Sequence, residues 1–115
     1  MHEYSIVAAL IDGVEREVSA RGGSRVHGIQ VAIGELAGVE IELLRTAFET
    51  FRERSVCDGA SLTIVPVAAH WSCPGCGREL PPGAILRCPD CDRPARLDHG
   101  DEILLQRIEM EVPDV

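Results

Sequence analysis

The chain has 115 residues, 45% of them apolar, which is enough for one domain or a domain with a small appendage. Eleven basic residues, all arginine, stand against 19 acidic ones for a net charge of −8, so the basic footprint of a nucleic-acid binder is missing. Only four aromatic residues are present (Tyr4, Phe48, Phe51, Trp71), too few for a base-stacking platform. No apolar run approaches the roughly 18 residues that span a bilayer. The first residues lack the basic, then apolar, then small pattern of a secretory signal. The expected setting is therefore soluble and cytoplasmic, where paired cysteines are metal ligands more often than disulfides.

Along the chain, Ile6, Val7, Leu10, Ile11, Val14 and Val18 give one apolar face at helical spacing from about Glu3 to Ala20. Arg21-Gly22-Gly23-Ser24 stops that helix. Val26, Ile29, Val31 and Ile33 then read as a half-buried strand ending at Gly34. Ile41, Leu44, Ala47, Phe48 and Phe51 mark a second helix, closed by a polar stretch from Arg52 to Gly59. Leu62, Ile64 and Val67 alternate as a second strand, and Pro66 places it at a sheet edge. From Trp71 to about Arg96 cysteine, proline and glycine dominate. Beyond Gly100, Ile103-Leu104-Leu105 and the run from Ile108 to Val112 supply a last strand.

This order predicts an α+β fold: two helices packed on a three-stranded sheet, with a four-cysteine zinc-ribbon lobe inserted between the second and third strands. The expected division is 1–69 with 101–115 as one α/β domain and 70–100 as a zinc-binding domain.

Residues 73–91 read CPGCGRELPPGAILRCPDC, a C-x2-C-x11-C-x2-C pattern with candidate ligands Cys73, Cys76, Cys88 and Cys91. Two short C-P-x-C turns facing each other aim four sulfurs at one point, the tetrahedral all-sulfur arrangement that zinc prefers. The gap between them suits a hairpin through Leu80-Pro81-Pro82-Gly83. Iron in a rubredoxin-like site, or a redox C-x2-C pair, are the competing readings, although proline inside both turns and the missing βαβ setting speak against the latter. A closed site of this kind folds its lobe and leaves no open position for catalysis.

The other candidates read more plainly. Cys57 is a small buried hydrophobe. His27 lies on the first strand as a surface or pairing residue. His70 sits at the edge of the lobe or behind the zinc ligands. His99 sits in the polar turn L-D-H-G-D, as a solvent-exposed residue or a ligand lent to a distant metal. Glu40 and Glu42 flank a helix start, where acids are favoured by the dipole. Metalloprotease, phosphate-loop, serine-elbow and zinc-deaminase motifs are all missing.

The chain opens on Met1-His2-Glu3. If the first helix begins there, its leading amides have no intrahelical partner, and a metal can replace their protons without breaking the helix. The Met1 amine, the His2 amide and imidazole, and the Glu3 amide can then offer four nitrogens in a plane, a geometry that selects Ni2+ or Cu2+. The competing reading is a terminal tail without function.

M-H-E-x-S at the start, V-x-I-G-E-L-A-G-V from Val31 to Val39, the two C-x2-C turns and the closing I-E-x-E together resemble the HypA (HybF) family. The similarity covers essentially the whole chain. It implies a nickel metallochaperone for maturation of [NiFe]-hydrogenase, extending in some bacteria to urease. It implies Ni2+ as cargo at Met1, His2 and Glu3 and structural Zn2+ at Cys73, Cys76, Cys88 and Cys91. The implied partners are the GTPase HypB and the hydrogenase large-subunit precursor, with no nucleic acid or membrane, for a chain that is a monomer or weak homodimer. A carrier of this kind is not an enzyme. Tyr4, where most relatives have methionine, departs mildly from the family pattern and leaves the nitrogen ligands untouched. The alternative is a zinc-ribbon module that recognises protein or nucleic acid through the arginines clustered at Arg78, Arg87, Arg93 and Arg96.

Overall fold

Eight elements follow one another in the computed structural model, which describes residues 2–81, 83 and 85–113. They are α1 (His2–Ala20), β1 (Arg25–Gly34), α2 (Ile41–Phe51), β2 (Ser61–Val67), β3 (His70–Ser72), β4 (Glu79–Leu80), β5 (Arg96–His99) and β6 (Ile103–Glu111). Two three-stranded sheets result, ordered β2-β1-β6 and β4-β3-β5. The expected α+β fold is present, with two helices, a three-stranded sheet and a cysteine-bearing insertion between its last two strands in sequence. The chain divides into two compact units: Met1–Ala32 with Val39–Val65 and Leu104–Val115, and Ile33–Gly38 with Pro66–Ile103. No described helix is long and apolar enough to cross a membrane.

The first unit is built from period. Val7, Leu10, Ile11, Val14 and Val18 recur at three- and four-residue steps and are buried, as are Leu44, Ala47 and Phe48 of α2. Between the helices Tyr4 meets Phe51 edge-on, with ring centroids 5.4 Å apart. Ser24 donates to the Glu111 carbonyl and Gly34 to that of Glu102, so β6 runs antiparallel to β1. Gly28 lies against Ser61 while Glu35 donates to the Val67 carbonyl, so β2 runs parallel to β1 with α2 as the crossover. Pro66 does lie on an edge strand.

One local expectation changes. As the central strand, β1 alternates only at its start and is then buried on both faces from Val31 to Gly34. In the polar stretch after α2, Cys57 is completely buried, as expected, and so is Ala60 just beyond it. The last strand is, as expected, one continuous element, running through Gln106-Arg107.

In the second unit, the I-G-E-L motif holds the two segments that enter and leave the insertion. Glu35 donates its amide to the Val67 carbonyl and accepts the Ala69 amide on its carboxylate at 3.0 Å. Leu36 donates to the Gly100 carbonyl at 2.7 Å. Gly34 runs so close to Gly100 that a Cβ there would sit 2.2 Å from the Gly100 backbone. Glycine at position 34 is thus a packing requirement of this crossing.

Candidate metal centres

The cysteine turns fold as two copies of one loop. In the first, the Cys73 amide donates to the Arg78 carbonyl and the Gly77 amide to that of Cys73. In the second, the Cys88 amide donates to Arg93 and the Asp92 amide to Cys88. Gly77 (φ +76°) and Asp92 (φ +52°) occupy the same left-handed place in each. Each loop is closed by a backbone pair, Ser72 with Glu79 and Arg87 with Pro94. The flanks thus pair around each knuckle, because a C-x2-C turn reverses the chain and leaves its flanks side by side. The turn expected through Leu80-Pro81-Pro82-Gly83 includes Pro82, which lies outside the described residues.

All four expected ligands come together: the sulfurs of Cys73, Cys76, Cys88 and Cys91 lie within 4.8 Å of one another. A tetrahedral site with metal–sulfur bonds of about 2.3 Å has sulfur–sulfur edges of about 3.8 Å, and Cys76 and Cys88 stand 3.8 Å apart. Cys73 and Cys88 are buried, Cys91 is half-buried and Cys76 exposed. The Cys73 thiol is drawn down to about 6, chiefly by the Cys76 backbone amide. Cys91 is pushed up to about 12, first by its neighbour Cys76 and then by Cys73. Four thiols this close cannot all lose their protons unless a cation compensates them, which is what a tetrathiolate centre provides. Arg78 reaches from the first knuckle to Asp90 on the second at 2.7 Å and ties the two together.

The amino-terminal candidates are placed unequally. Met1 lies outside the described residues, and for His2 only the helical backbone is described. The backbone of His2 and Glu3 opens α1, so their amides belong to the first turn, where no intrahelical acceptor exists. The Glu3 side chain is buried, 5% exposed, and its carboxylate accepts the Glu40 amide at 3.0 Å. Glu40 is the N-cap of α2 and makes no side-chain cap of its own. Glu3 therefore caps α2 from another helix, a role that sequence reading misses because 37 residues separate the partners. The Glu40 amide is also the main cause that holds the Glu3 carboxyl down at about 2, well below the usual 4.5.

The histidines separate. His27 is exposed and bonds Glu111 at 2.8 Å, and its pairing role was readable. His70 directs Nδ1 to Asp98 at 2.8 Å and Nε2 to Glu79. His99 is exposed, as expected, but forms part of β5 and stacks on His70. Of the arginines clustered near the cysteines, Arg78, Arg87 and Arg96 are paired with Asp90, Asp92 and Asp98. That pairing removes much of the basic character a nucleic-acid module would need. Cys57 is fully buried, and burial pushes its thiol up.

Comparison with known proteins bears on the whole chain. A family model described as hydrogenase/urease nickel incorporation, metallochaperone, HypA, matches residues 1–110. Hydrogenase maturation factor HypA of Wolinella succinogenes is 40% identical over 117 residues, covering 99% of this chain and 98% of the relative. The same factor of Shewanella halifaxensis is 38% identical over 114 residues, covering 96% and 98%. The solution structure of the nickel metallochaperone HypA from Helicobacter pylori superposes with a TM-score of 0.75 at 32% identity, covering 96% of this chain and 98% of that one.

Proposed function

The chain belongs to the HypA family of hydrogenase and urease nickel-incorporation metallochaperones, and on that premise we propose that it carries Ni2+ at its own amino terminus and hands it on during [NiFe]-hydrogenase maturation, with urease as a second destination. The proposed ligands are the Met1 amine, the His2 amide and imidazole, and the Glu3 amide. The observation that carries the reading is the anchored Glu3: its carboxylate is engaged with the Glu40 amide. That contact holds the first helical turn in place, where the His2 and Glu3 amides have no intrahelical acceptor. Planar nitrogen ligation favours Ni2+ over Zn2+, which prefers a tetrahedral set.

Cys73, Cys76, Cys88 and Cys91 would hold Zn2+ as a structural ion, supplying cross-links to a lobe with little core of its own. Residues 1–69 with 101–115 are read as the nickel-binding domain and 70–100 as the zinc-binding one. The protein acts as a carrier and not an enzyme, in the cytoplasm. Its partners are the GTPase HypB and the hydrogenase large-subunit precursor, and the chain is a monomer or weak homodimer.

The test is a Ni2+ titration of zinc-loaded protein with a native, untagged start, beside His2→Ala. One equivalent with a diamagnetic planar spectrum in wild type and none in the variant is the expected result. Equal planar binding by both chains, or none by either, would return the first three residues to the status of a tail.

A further inference from the structure

One face of the β4-β3-β5 sheet gathers more polar chemistry than its size requires. His70 on β3 stands opposite His99 on β5, and the register shifts between His70 and Trp71. That irregularity inserts an extra residue into β5, so that Asp98 and His99, neighbours in sequence, both meet His70. The two imidazoles stack with centroids 4.8 Å apart and planes 14° apart. From β4, Glu79 reaches His70 Nε2. Asp98 accepts from His70 Nδ1 at 2.8 Å and is itself held by the Ser72 hydroxyl at 3.0 Å and by Arg96 Nε at 3.1 Å.

We propose that this face is a binding site for a borderline divalent transition metal, with His70 Nε2 and the Glu79 carboxylate as first ligands, His99 as the third, and water completing the shell. The case rests on how the two nitrogens of His70 are assigned. A carboxylate on Nδ1–H fixes the imidazole tautomer that leaves Nε2 as the metal-facing lone pair, and it raises the basicity of that nitrogen. Asp98 occupies that position and is pinned in it by two further donors. Nε2 already points at a carboxylate. A cation entering there displaces the proton between Nε2 and Glu79, and that proton leaves to solvent. The nitrogen lone pair and one carboxylate oxygen become the metal bonds. The stacked rings do not converge on one point as they stand; Glu79 and His99 are exposed, and both side chains turn toward the shared ion when it binds. Imidazole with carboxylate and water suits Ni2+, Zn2+ or Cu2+ and gives nickel a six-coordinate shell, not a planar one. The site is independent of the terminal nitrogens and of the cysteine cluster.

The difference in geometry makes the site testable by itself. Six-coordinate Ni2+ is paramagnetic and planar Ni2+ is not. The experiment uses the zinc-loaded full chain carrying His2→Ala and follows the imidazole resonances of all histidines as Ni2+ is added. The expected result is saturable broadening of His70 and His99 while His27 stays sharp. His99→Ala and Glu79→Gln, both at exposed positions, should abolish that selectivity at the same nickel concentration. Asp98→Asn should weaken binding on the order of tenfold. Broadening that is absent, that spreads equally to His27, or that is unchanged in His99→Ala and Glu79→Gln would overturn the site. None of these outcomes depends on whether the terminal nitrogens bind nickel.

Discussion

A carboxylate buried against the first amide of a helix is worth more to the fold charged than neutral. Glu3 is in that position, and the Glu40 amide lowers its carboxyl to about 2 from 4.5. Its stabilising contribution is therefore complete above the ordinary carboxyl value and is lost as pH falls from there through about 2. The shift of the Glu40 amide resonance should follow the same low midpoint, and a midpoint near 4.5 would show that the contact does not form in solution. Glu3→Gln keeps an acceptor for the amide and Glu3→Ala does not, so thermal unfolding should place the alanine variant below the glutamine one. Gly34 makes a second residue-scale case. Because a Cβ there would lie 2.2 Å from the Gly100 backbone, Gly34→Ala should cost about 1–3 kcal/mol by overpacking, read from denaturant midpoints. A midpoint equal to wild type would mean that the crossing relaxes freely. Neither partner of Glu3 nor of Gly34 is visible in the sequence, since each contact joins residues far apart in the chain and leaves no local pattern.

At the scale of elements, the helices were legible because burial repeats at 3.6 residues, and α2 begins and ends where its apolar spacing does. The cysteine cluster was legible for a different reason: a C-x2-C turn fixes its own geometry within a few residues. Strands of two to four residues, such as β3, β4 and β5, carry no periodicity to read. Their pairing follows from the knuckles that force their flanks together. Between Pro66 and Ile103, Leu80 is the one buried aliphatic side chain among the described residues, beside the buried sulfurs of Cys73 and Cys88. A segment with so small a core depends on its cross-links. Removal of the metal with a strong chelator should shift the emission of Trp71, the chain's single tryptophan, toward that of water while the helical far-ultraviolet signal persists. Loss of both signals together would tie the two units into one cooperative transition. On the same small sheet, Glu79 and then Asp98 raise the His70 pKa above its ordinary 6.5. What the ion pairs contribute is present below that ordinary value and fades as pH rises through the raised one. The His70 ring should titrate above 6.5 in wild type and move down in Glu79→Gln; an unchanged midpoint in the variant would deny Glu79 its part.

For the whole molecule, a net charge of −8 with no lysine draws cations and repels phosphate backbones. Around the cysteines, Arg78, Arg87 and Arg96 pair with aspartates and leave the field acidic. Such a surface concentrates divalent metal near the chain, but selectivity has to come from ligand geometry, because attraction alone ranks metals poorly. Release must be as easy as capture for a carrier, and proton competition supplies a means. An amine, an imidazole and two amides all give up protons to a metal at the proposed terminal site. Lowering the pH from about 7.5 to about 6.0 strengthens that competition at every ligand, so nickel affinity should fall at least about tenfold. Calorimetry in buffers of different ionisation enthalpy would count the protons, with two or more expected per nickel. An affinity that held steady across that range would point to carboxylate ligands, which are fully ionised throughout it, and would move the nickel away from the nitrogens of the first helical turn.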